Sequence, residues 1–148
     1  MAGVFKWNVF SRRPVIAGVR LRKAHQMRRD MELVRQIAFA VESASSGIDS
    51  ESLQIPNYSA EQIAYHCDLM NESGLLDTID TQTMDSAFAT FHIRRLTSKG
   101  HDFIDSARNE TLWNKAKTTI ASTVGGVTID VLMKYLKSQA MATLGLPE

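Results

Sequence analysis

The sequence predicts a mainly α-helical fold with a small β-hairpin, that is, an α+β domain. Three observations predict it. Apolar residues recur at intervals of three and four along most of the chain after Asp30, two short central segments resemble strands, and Ser, Thr, Asn or Gly residues stand where helices would begin and end. The chain of 148 residues has the length of one domain, and its 44% hydrophobic residues are enough for a modest core.

Charge divides the chain into two unequal parts. Residues 1–29 hold eight Lys or Arg and no acid, whereas the remaining 119 residues hold nine basic and sixteen acidic side chains. Residues 1–26 show no sustained period and are predicted to be a basic N-terminal arm or extension. One interpretation is an arm that binds phosphate backbones or an anionic surface. The favoured one is an atypical extension, or upstream sequence translated from an early start codon.

The first core helix is predicted to follow Asp30. Its apolar stripe consists of Met31, Val34, Ile37, Ala38 and Val41, with Arg35, Gln36 and Glu42 off the stripe. The polar segment 43–52 would end this helix, and residues 53–55 before Pro56 are predicted as a short strand or an extended link. This leaves little room for the first helix of a helix–turn–helix unit, which would be reduced or lost.

The best-defined element is a helix within residues 58–76. Ser59 is a candidate N-cap, Gln62 completes a capping box, and Gly74 supplies the left-handed residue that ends the helix. The apolar stripe is formed by Ile63, Cys67 and Met70, with Leu69 beside them. The residues predicted to face outward are Glu61, Gln62, Tyr65, Asp68 and Asn71. The single cysteine is therefore predicted to be a buried thiol.

A β-hairpin is predicted next. Residues 75–79 form an apolar-rich strand, residues 80–87 a polar loop, and residues 88–97 an alternating strand. A capped helix that ends at a glycine and continues into a hairpin is typical of a winged-helix domain, in which the loop is the wing. The sequence therefore predicts a winged-helix-like domain over residues 27–108.

Three further helices are expected after the hairpin, with Thr97 and Asn109 as candidate caps of the first two. The second would place Leu112, Trp113, Ala116 and Ile120 on one face. The last, about 127–142, would align Ile129 or Val131 with Leu132, Tyr135, Leu136 and Ala140. Its apolar side needs a partner, either the domain itself or a second copy. Residues 109–148 are thus predicted to be a C-terminal helical extension, and a homodimer through its last helix is one of the two ways to cover that side.

Four parts of the sequence together resemble an uncharacterised family of small proteins from bacteria and their phages: residues 27–37, 58–76 and 96–108, and Trp113. Members of that family usually begin near the position of Met27. The resemblance implies a winged-helix fold and a bacterial, prophage or phage setting. It implies no enzyme activity and no ligand.

Several kinds of chemistry have no signature in the sequence. The four histidines (His25, His66, His92 and His101) stand apart and Cys67 has no second cysteine, so no metal site is expected. The glycine pair at 125–126 is not followed by Lys and Ser or Thr as in a phosphate-binding loop, and no nucleophile elbow is present. We therefore expect no enzyme and no cofactor. No apolar run is long enough to span a membrane, and a cytoplasmic location is expected.

Binding to double-stranded DNA is the leading functional hypothesis. The candidate contacts are Arg28, Arg29, Gln62, Tyr65, His66, Asn71, Arg94, Arg95 and Lys99. For His66, a role in the packing of the domain is favoured over contact with a phosphate or base edge. The difficulty is that the central helix carries Glu61, Asp68 and Glu72 but no Lys or Arg, although it would meet the negative field of the major groove. The alternative is an acidic protein-interaction module, or a subunit of a phage or defence assembly.

Overall fold

The computed structural model describes residues 27–124 and 127–147. The predicted arm (1–26) and the glycine pair at 125–126 lie outside the described residues. The elements of the described part follow one another as α1 Met31–Ser43, β1 Ile48–Asp49, a 3₁₀ turn Ser50–Ser52, α2 Ala60–Glu72, β2 Leu76–Asp80, β3 Phe91–Leu96, α3 Ser98–Ala107, α4 Glu110–Val124 and α5 Ile129–Leu144. The mainly helical α+β prediction is confirmed.

The sheet has three antiparallel strands in the order β1-β3-β2. The hairpin of β2 and β3 was expected, but β1 lies in the polar segment that was predicted only to break the first helix. Ile48 of β1 pairs with Ile93 of β3. A two-residue strand has no periodicity of its own, so only its pairing with β3 makes it recognisable. The 3₁₀ turn follows at once, and the Ser50 hydroxyl accepts a hydrogen bond from the Phe91 N–H at 3.0 Å.

Residues 53–55 are an extended link and not a strand. The side chains of Leu53 and Ile55 are nevertheless buried, so the link closes one side of the core. Together with the 3₁₀ turn it occupies the stretch between α1 and α2, where a full helix was not expected. Of the two alternatives for this segment, the structure has the extended link.

Both ends of α2 are formed as predicted. Ser59 and Gln62 make the capping box, in which each side chain accepts a hydrogen bond from the other residue's backbone N–H. At the other end Gly74 has φ of 75°. The N–H groups of Gly74 and Leu75 bond to the carbonyls of Asn71 and Met70 at 2.9 and 2.8 Å, which is a Schellman motif. The glycine therefore ends the helix and turns the chain into β2.

One hydrophobic core joins the helices to the sheet. It includes the predicted stripes of α1 and α2, and Cys67 is fully buried. Leu69, expected beside the stripe of α2, is half-buried. Arg35, expected off the apolar stripe of α1, is nevertheless buried, which the stripe alone did not indicate. The reason for the burial of Arg35 is the position of α4, which lies against this side of α1.

The C-terminal helices complete the same core. The hydroxyl of Thr97 caps α3, and the Asn109 side chain accepts a hydrogen bond from the Leu112 N–H at 3.0 Å at the start of α4. On α5 the buried residues are Ile129, Leu132, Met133 and Leu136, which pack against the domain itself. Of the two predicted alternatives, Ile129 is buried and Val131 is exposed; Ala140, predicted in the stripe, is exposed as well.

A close approach between backbones fixes the start of α3 against the turn after α2. The Thr97 N–H donates to the Leu75 carbonyl at 3.0 Å, and the Thr97 hydroxyl donates to the carbonyl of Gly74. A Cβ on Gly100 would lie 2.1 Å from the Leu75 carbonyl oxygen. Glycine is therefore required at position 100 although it is helical.

We predict that Gly100→Ala lowers the free energy of unfolding by about 3 kcal/mol or more, because the backbone of Leu75 cannot retreat without breaking the turn. The expected change in the free energy of unfolding is opposite in sign to the gain of about 1 kcal/mol that replacing glycine with alanine usually gives in a helix. Urea denaturation measures the difference. Gly47→Ala is the control and should cost less, since the added Cβ would meet the end of the His92 side chain and would lie 3.1 Å from the Ile93 carbonyl oxygen, a much looser backbone approach. Equal stability of Gly100→Ala and wild type would contradict the close approach.

Candidate functional site

The N-terminal ends of α1 and α2 are held together by a small polar junction. One carboxylate oxygen of Asp30 accepts the backbone N–H groups of Glu32 and Leu33, and the other accepts the hydroxyl of Tyr58 at 2.8 Å. Burial, followed by the hydrogen bond to Asp30, raises the pKa of Tyr58 to about 12. Tyr58 therefore remains a neutral donor at physiological pH, and both Asp30 oxygens are occupied.

His66 belongs to this junction. Its Nε2 accepts the Asp30 N–H at 2.8 Å, and its Nδ1 lies 2.8 Å from the Gln62 carbonyl oxygen, to which it donates. The ring is buried, and this burial lowers its pKa despite the opposing effects of the Gln62 carbonyl and the Asp30 charge. With both ring nitrogens engaged, His66 supports the packing of α1 on α2. Of its two predicted roles, the geometry favours the structural one.

A cavity of about 460 Å³ opens beside this junction. Its lining comes from the segment before α1, from the N-terminal part of α2 and from the last turns of α4. Four of the predicted site residues meet here: Arg28, Arg29, Gln62 and His66. The other lining residues are Asp30, Met31, Glu32, Tyr58, Lys117, Ala121 and Val127. The fold thus brings two arginines and a lysine, which are far apart in sequence, to one recess.

Glu32 forms the acidic part of the cavity wall, and its charge is already satisfied. Its Oε2 accepts the Lys117 ammonium at 2.7 Å and the Trp113 indole N–H at 2.8 Å. Burial raises the pKa of Glu32, but the hydrogen bonds from Lys117, Trp113 and Gln36 outweigh it, so the net shift is downward. Arg28 and Arg29 are exposed and have no acidic partner within the described part of the chain.

The outer side of α2 is acidic. We call Glu61, Tyr65, Asp68, Leu69 and Glu72 the acidic face. All of these except Leu69 recur every three or four residues and so lie in one row along the helix. The three carboxylates form no salt bridge with any described cation. Tyr65 and Leu69 are half-buried, and the predicted contact Asn71 is exposed at the edge of this face.

Arg94 and Arg95 lie on the sheet and not in the cavity. The register between β2 and β3 shifts between Asp77 and Thr78, so that Asp77 pairs with Arg95 while Thr78 pairs with Ile93. This bulge leaves Arg94 as the extra residue, and both arginines are exposed. Each lies 3.5 Å from the same Asp77 oxygen, which can balance only one of their two charges.

The remaining candidate cation, Lys99, pairs with Asp130 of α5 at 2.9 Å. The predicted site residues therefore form no single cluster. Some lie around the cavity, two lie on the bulge, Tyr65 and Asn71 lie along the outer side of α2, and Lys99 joins α3 to α5. Contacts in the tertiary structure, which the spacing in the sequence does not reveal, determine where each of these residues lies.

The single cysteine and the possible metal ligands were the reactive groups considered from the sequence. Burial, with a smaller contribution from Asp68, raises the pKa of the Cys67 thiol to about 12, so this cysteine is a poor nucleophile. No three His, Cys, Asp or Glu side chains within residues 27–124 and 127–147 are grouped so as to hold a metal ion.

An apolar groove of about 530 Å³ runs along the outer side of α5. It is lined by Val131, Lys134, Tyr135, Lys137, Ser138 and Met141. The groove contains two lysines and no acid. The predicted stripe of α5 thus divides into an inner part that packs on the domain and an outer part that remains accessible.

Comparison with known proteins places the chain in a family. A family model described as a hypothetical protein, DUF2513, matches residues 28–127. The chain belongs to this family. An uncharacterized protein of Haemophilus influenzae is 31% identical over 116 residues, which cover 76% of this chain and 94% of that relative. No solved structure matches the chain. The predicted resemblance to an uncharacterised family that starts near Met27 is confirmed to this extent.

The DUF2513 match begins at Arg28 and ends at Val127, so it contains the cavity, the acidic face and the bulge but not α5. No helix in the described part of the chain is both long and apolar enough to cross a membrane.

Sequence analysis missed Tyr58, Lys117 and Glu32 as parts of the cavity. Lys117 is 85 residues from Glu32, and neither residue stands in a recognisable motif. The one available signal was Tyr58, which directly precedes the N-cap of α2. A hydrophobic side chain at that position often packs against the first turns of the helix. In this chain Tyr58 instead donates to Asp30, the N-cap of α1.

We predict that the stability of the protein falls as the pH decreases below about 6.5 and that His66 causes part of this fall. The lowered pKa means that the unfolded chain binds the proton more readily, so protonation favours unfolding. Urea denaturation between about pH 7.5 and pH 5.5 measures the slope. His66→Gln removes the titration and keeps an acceptor for the Asp30 N–H, so its slope should be shallower. His101→Gln, at an exposed position, is the control and should keep the wild-type slope.

Proposed function

We propose that the chain is a non-catalytic winged-helix module that binds a protein with a basic surface through the acidic face of α2. The order of elements supports the winged-helix assignment: α1, a short strand, α2, and a hairpin whose second strand lies between the other two. In this assignment the loop 81–90 is the wing, and the 3₁₀ turn at Ser50–Ser52 replaces the helix that normally precedes the recognition helix.

The charge of the acidic face is the observation that carries the proposal. Glu61, Asp68 and Glu72 project from one side of α2, and no described cation neutralises them. In a major groove these carboxylates would face the phosphates of both strands, and like charges in close contact cost free energy. Against a basic protein surface the same carboxylates attract the partner, and Tyr65 and Leu69 supply apolar contact area.

The composition of the wing also favours a protein partner with a basic surface. Asp80 at the end of β2 precedes it, Asp85 lies in its middle, and Met84 beside Asp85 is fully exposed. Ile79, the residue before Asp80 on β2, is also half-exposed at 50%. Wings that contact DNA usually need cations to approach the phosphates, whereas an exposed methionine between acids suits an adaptable protein contact.

Binding to double-stranded DNA is the second candidate, and the bulge favours it. Because the bulge turns two successive arginines to solvent and leaves one of their charges unbalanced, Arg94 and Arg95 are suited to contact a phosphate backbone. Arg28 and Arg29, at the other end of α2, add two further cations. In this function the backbone contacts would carry most of the affinity and α2 would contribute little.

We further propose that the protein acts in the cytoplasm of a bacterium, as part of a prophage or phage assembly. A bacterial origin agrees with the relative in Haemophilus influenzae, and a prophage or phage assembly is the context that the resemblance implies. A cytoplasmic location agrees with the lone buried thiol of Cys67, which has no partner cysteine to require an oxidising compartment.

We predict that a photo-crosslinking amino acid at position 65 captures a discrete protein in the host cell, and that Glu61→Gln with Glu72→Gln abolishes the capture. Mass spectrometry identifies the captured protein, which should present a basic surface. Glu51→Gln with Asp102→Asn is the matched control, because it removes two exposed acids elsewhere and should leave the capture unchanged. Capture that survives loss of the two glutamates would contradict the role of the acidic face.

We predict weak, salt-dependent association with a DNA duplex of about 20 base pairs if the second candidate holds, with an affinity loss of at least tenfold between about 50 and about 200 mM salt. Fluorescence anisotropy measures it. Arg94→Ala with Arg95→Ala should abolish the signal, and Lys134→Ala with Lys137→Ala, which removes the same charge from α5, should not. No association at low salt would exclude this candidate.

A homodimer through α5 stays a prediction, and the outer groove is the surface that would form it. Its lysines would face each other across a two-fold axis, so we predict that dimerisation increases with salt. Sedimentation velocity at two salt concentrations measures this. Val131→Asp should abolish the dimer, whereas Asn114→Asp, on the exposed side of α4, should not. A monomer at all protein concentrations tested would exclude the dimer.

A further inference from the structure

We propose that the cavity between α1, α2 and α4 binds the phosphate group of a small phosphorylated molecule. Arg28 and Arg29 would hold the phosphate, and the rest of the recess would take the organic part. This inference does not depend on the partner of the acidic face, which lies on the outer side of α2.

The charges around the cavity leave two arginines without an acidic partner among the described residues. The recess contains three cations and two carboxylates, but the carboxylates are already used. Asp30 accepts two backbone N–H groups and the Tyr58 hydroxyl, and Glu32 accepts Lys117 and Trp113. Neither carboxylate forms a described salt bridge with Arg28 or Arg29. Two guanidinium groups therefore line the recess with their N–H donors available to an anion.

The ligand class follows from the donors and from the size of the recess. Guanidinium groups bind phosphate oxygens in pairs of parallel hydrogen bonds, and two neighbouring arginines suit a dianionic phosphate better than a single carboxylate. The volume of about 460 Å³ lies within the range of about 300 to 1,000 Å³ that small-molecule sites occupy. Ala121 and Val127 add an apolar part to the lining, which suits the uncharged portion of a phosphate monoester.

A small ligand fits the recess better than a DNA backbone does. A duplex presents its phosphates on a convex surface, and proteins usually meet them with groups that protrude. Here Met31, Tyr58 and His66, which contribute to the lining, are buried or half-buried, so the recess extends inward between the helices. A small phosphate monoester can place its organic part in the recess while Arg28 and Arg29 hold its phosphate, whereas a duplex would contact only the exposed arginines.

Isothermal titration calorimetry of the full chain tests the proposal. The probes are adenosine 5′-monophosphate, inorganic phosphate and adenosine, at one ionic strength. We expect adenosine 5′-monophosphate to bind, inorganic phosphate to compete with it, and adenosine not to bind. Arg28→Ala with Arg29→Ala should weaken the binding of adenosine 5′-monophosphate at least tenfold.

The sequence offers a matched control in the basic N-terminal segment. Arg12→Ala with Arg13→Ala removes an equal charge from another pair of adjacent arginines and should leave the affinity unchanged. Equal weakening by both double variants would show nonspecific attraction by the basic segment and would overturn the proposal. Absence of binding by both phosphate probes would overturn it too, as would a duplex DNA that requires Arg28 and Arg29 while neither probe binds. Circular dichroism of each variant confirms that it is folded.

Discussion

The buried guanidinium of Arg35 is the contact on which the arrangement of the C-terminal helices depends. Its Nε donates to the Ala107 carbonyl at the end of α3 at 2.9 Å, and its terminal nitrogen pairs with Glu110 of α4 at 2.9 Å. The guanidinium also lies 5.1 Å from the centre of the Trp113 ring. A buried charge must be paired and hydrogen-bonded, so these contacts leave α3 and α4 few alternative positions against α1.

The position of α4 in turn creates the cavity. Because Trp113 packs against α1, the next turn of α4 brings Lys117 to Glu32, and the end of the helix reaches the junction of Asp30, Tyr58 and His66. The carboxylates are thereby satisfied by partners within the fold. The same pairing leaves the arginines before α1 as the cations of this region without an acidic partner among the described residues. In the proposed site, Glu32 and Lys117 therefore hold the fold together, while Arg28 and Arg29 are left for the ligand.

Charge also separates the two sides of α2. One side packs on the core through Ile63, Cys67 and Met70, while the other exposes the acidic face. The cations that a DNA-binding helix would need lie at its two ends, and those on the bulge share Asp77. A partner of α2 and a partner of the bulge would therefore be chemically different. This is why the proposal of a protein partner rests on the charge along α2 and not on the winged-helix assignment alone.

The sequence by itself determined the helices, their caps and the hairpin, because these depend on local periodicity and on residues such as Ser59, Gly74 and Thr97 whose side chains or backbone act within one turn. It also determined that Cys67 is buried and that α2 is acidic. Only the tertiary structure decided that β1 forms, that Arg35 is buried, that His66 is engaged on both nitrogens and that Arg28, Arg29 and Lys117 meet at one recess. Each of these depends on at least one contact between residues 36 or more positions apart, which no local pattern encodes.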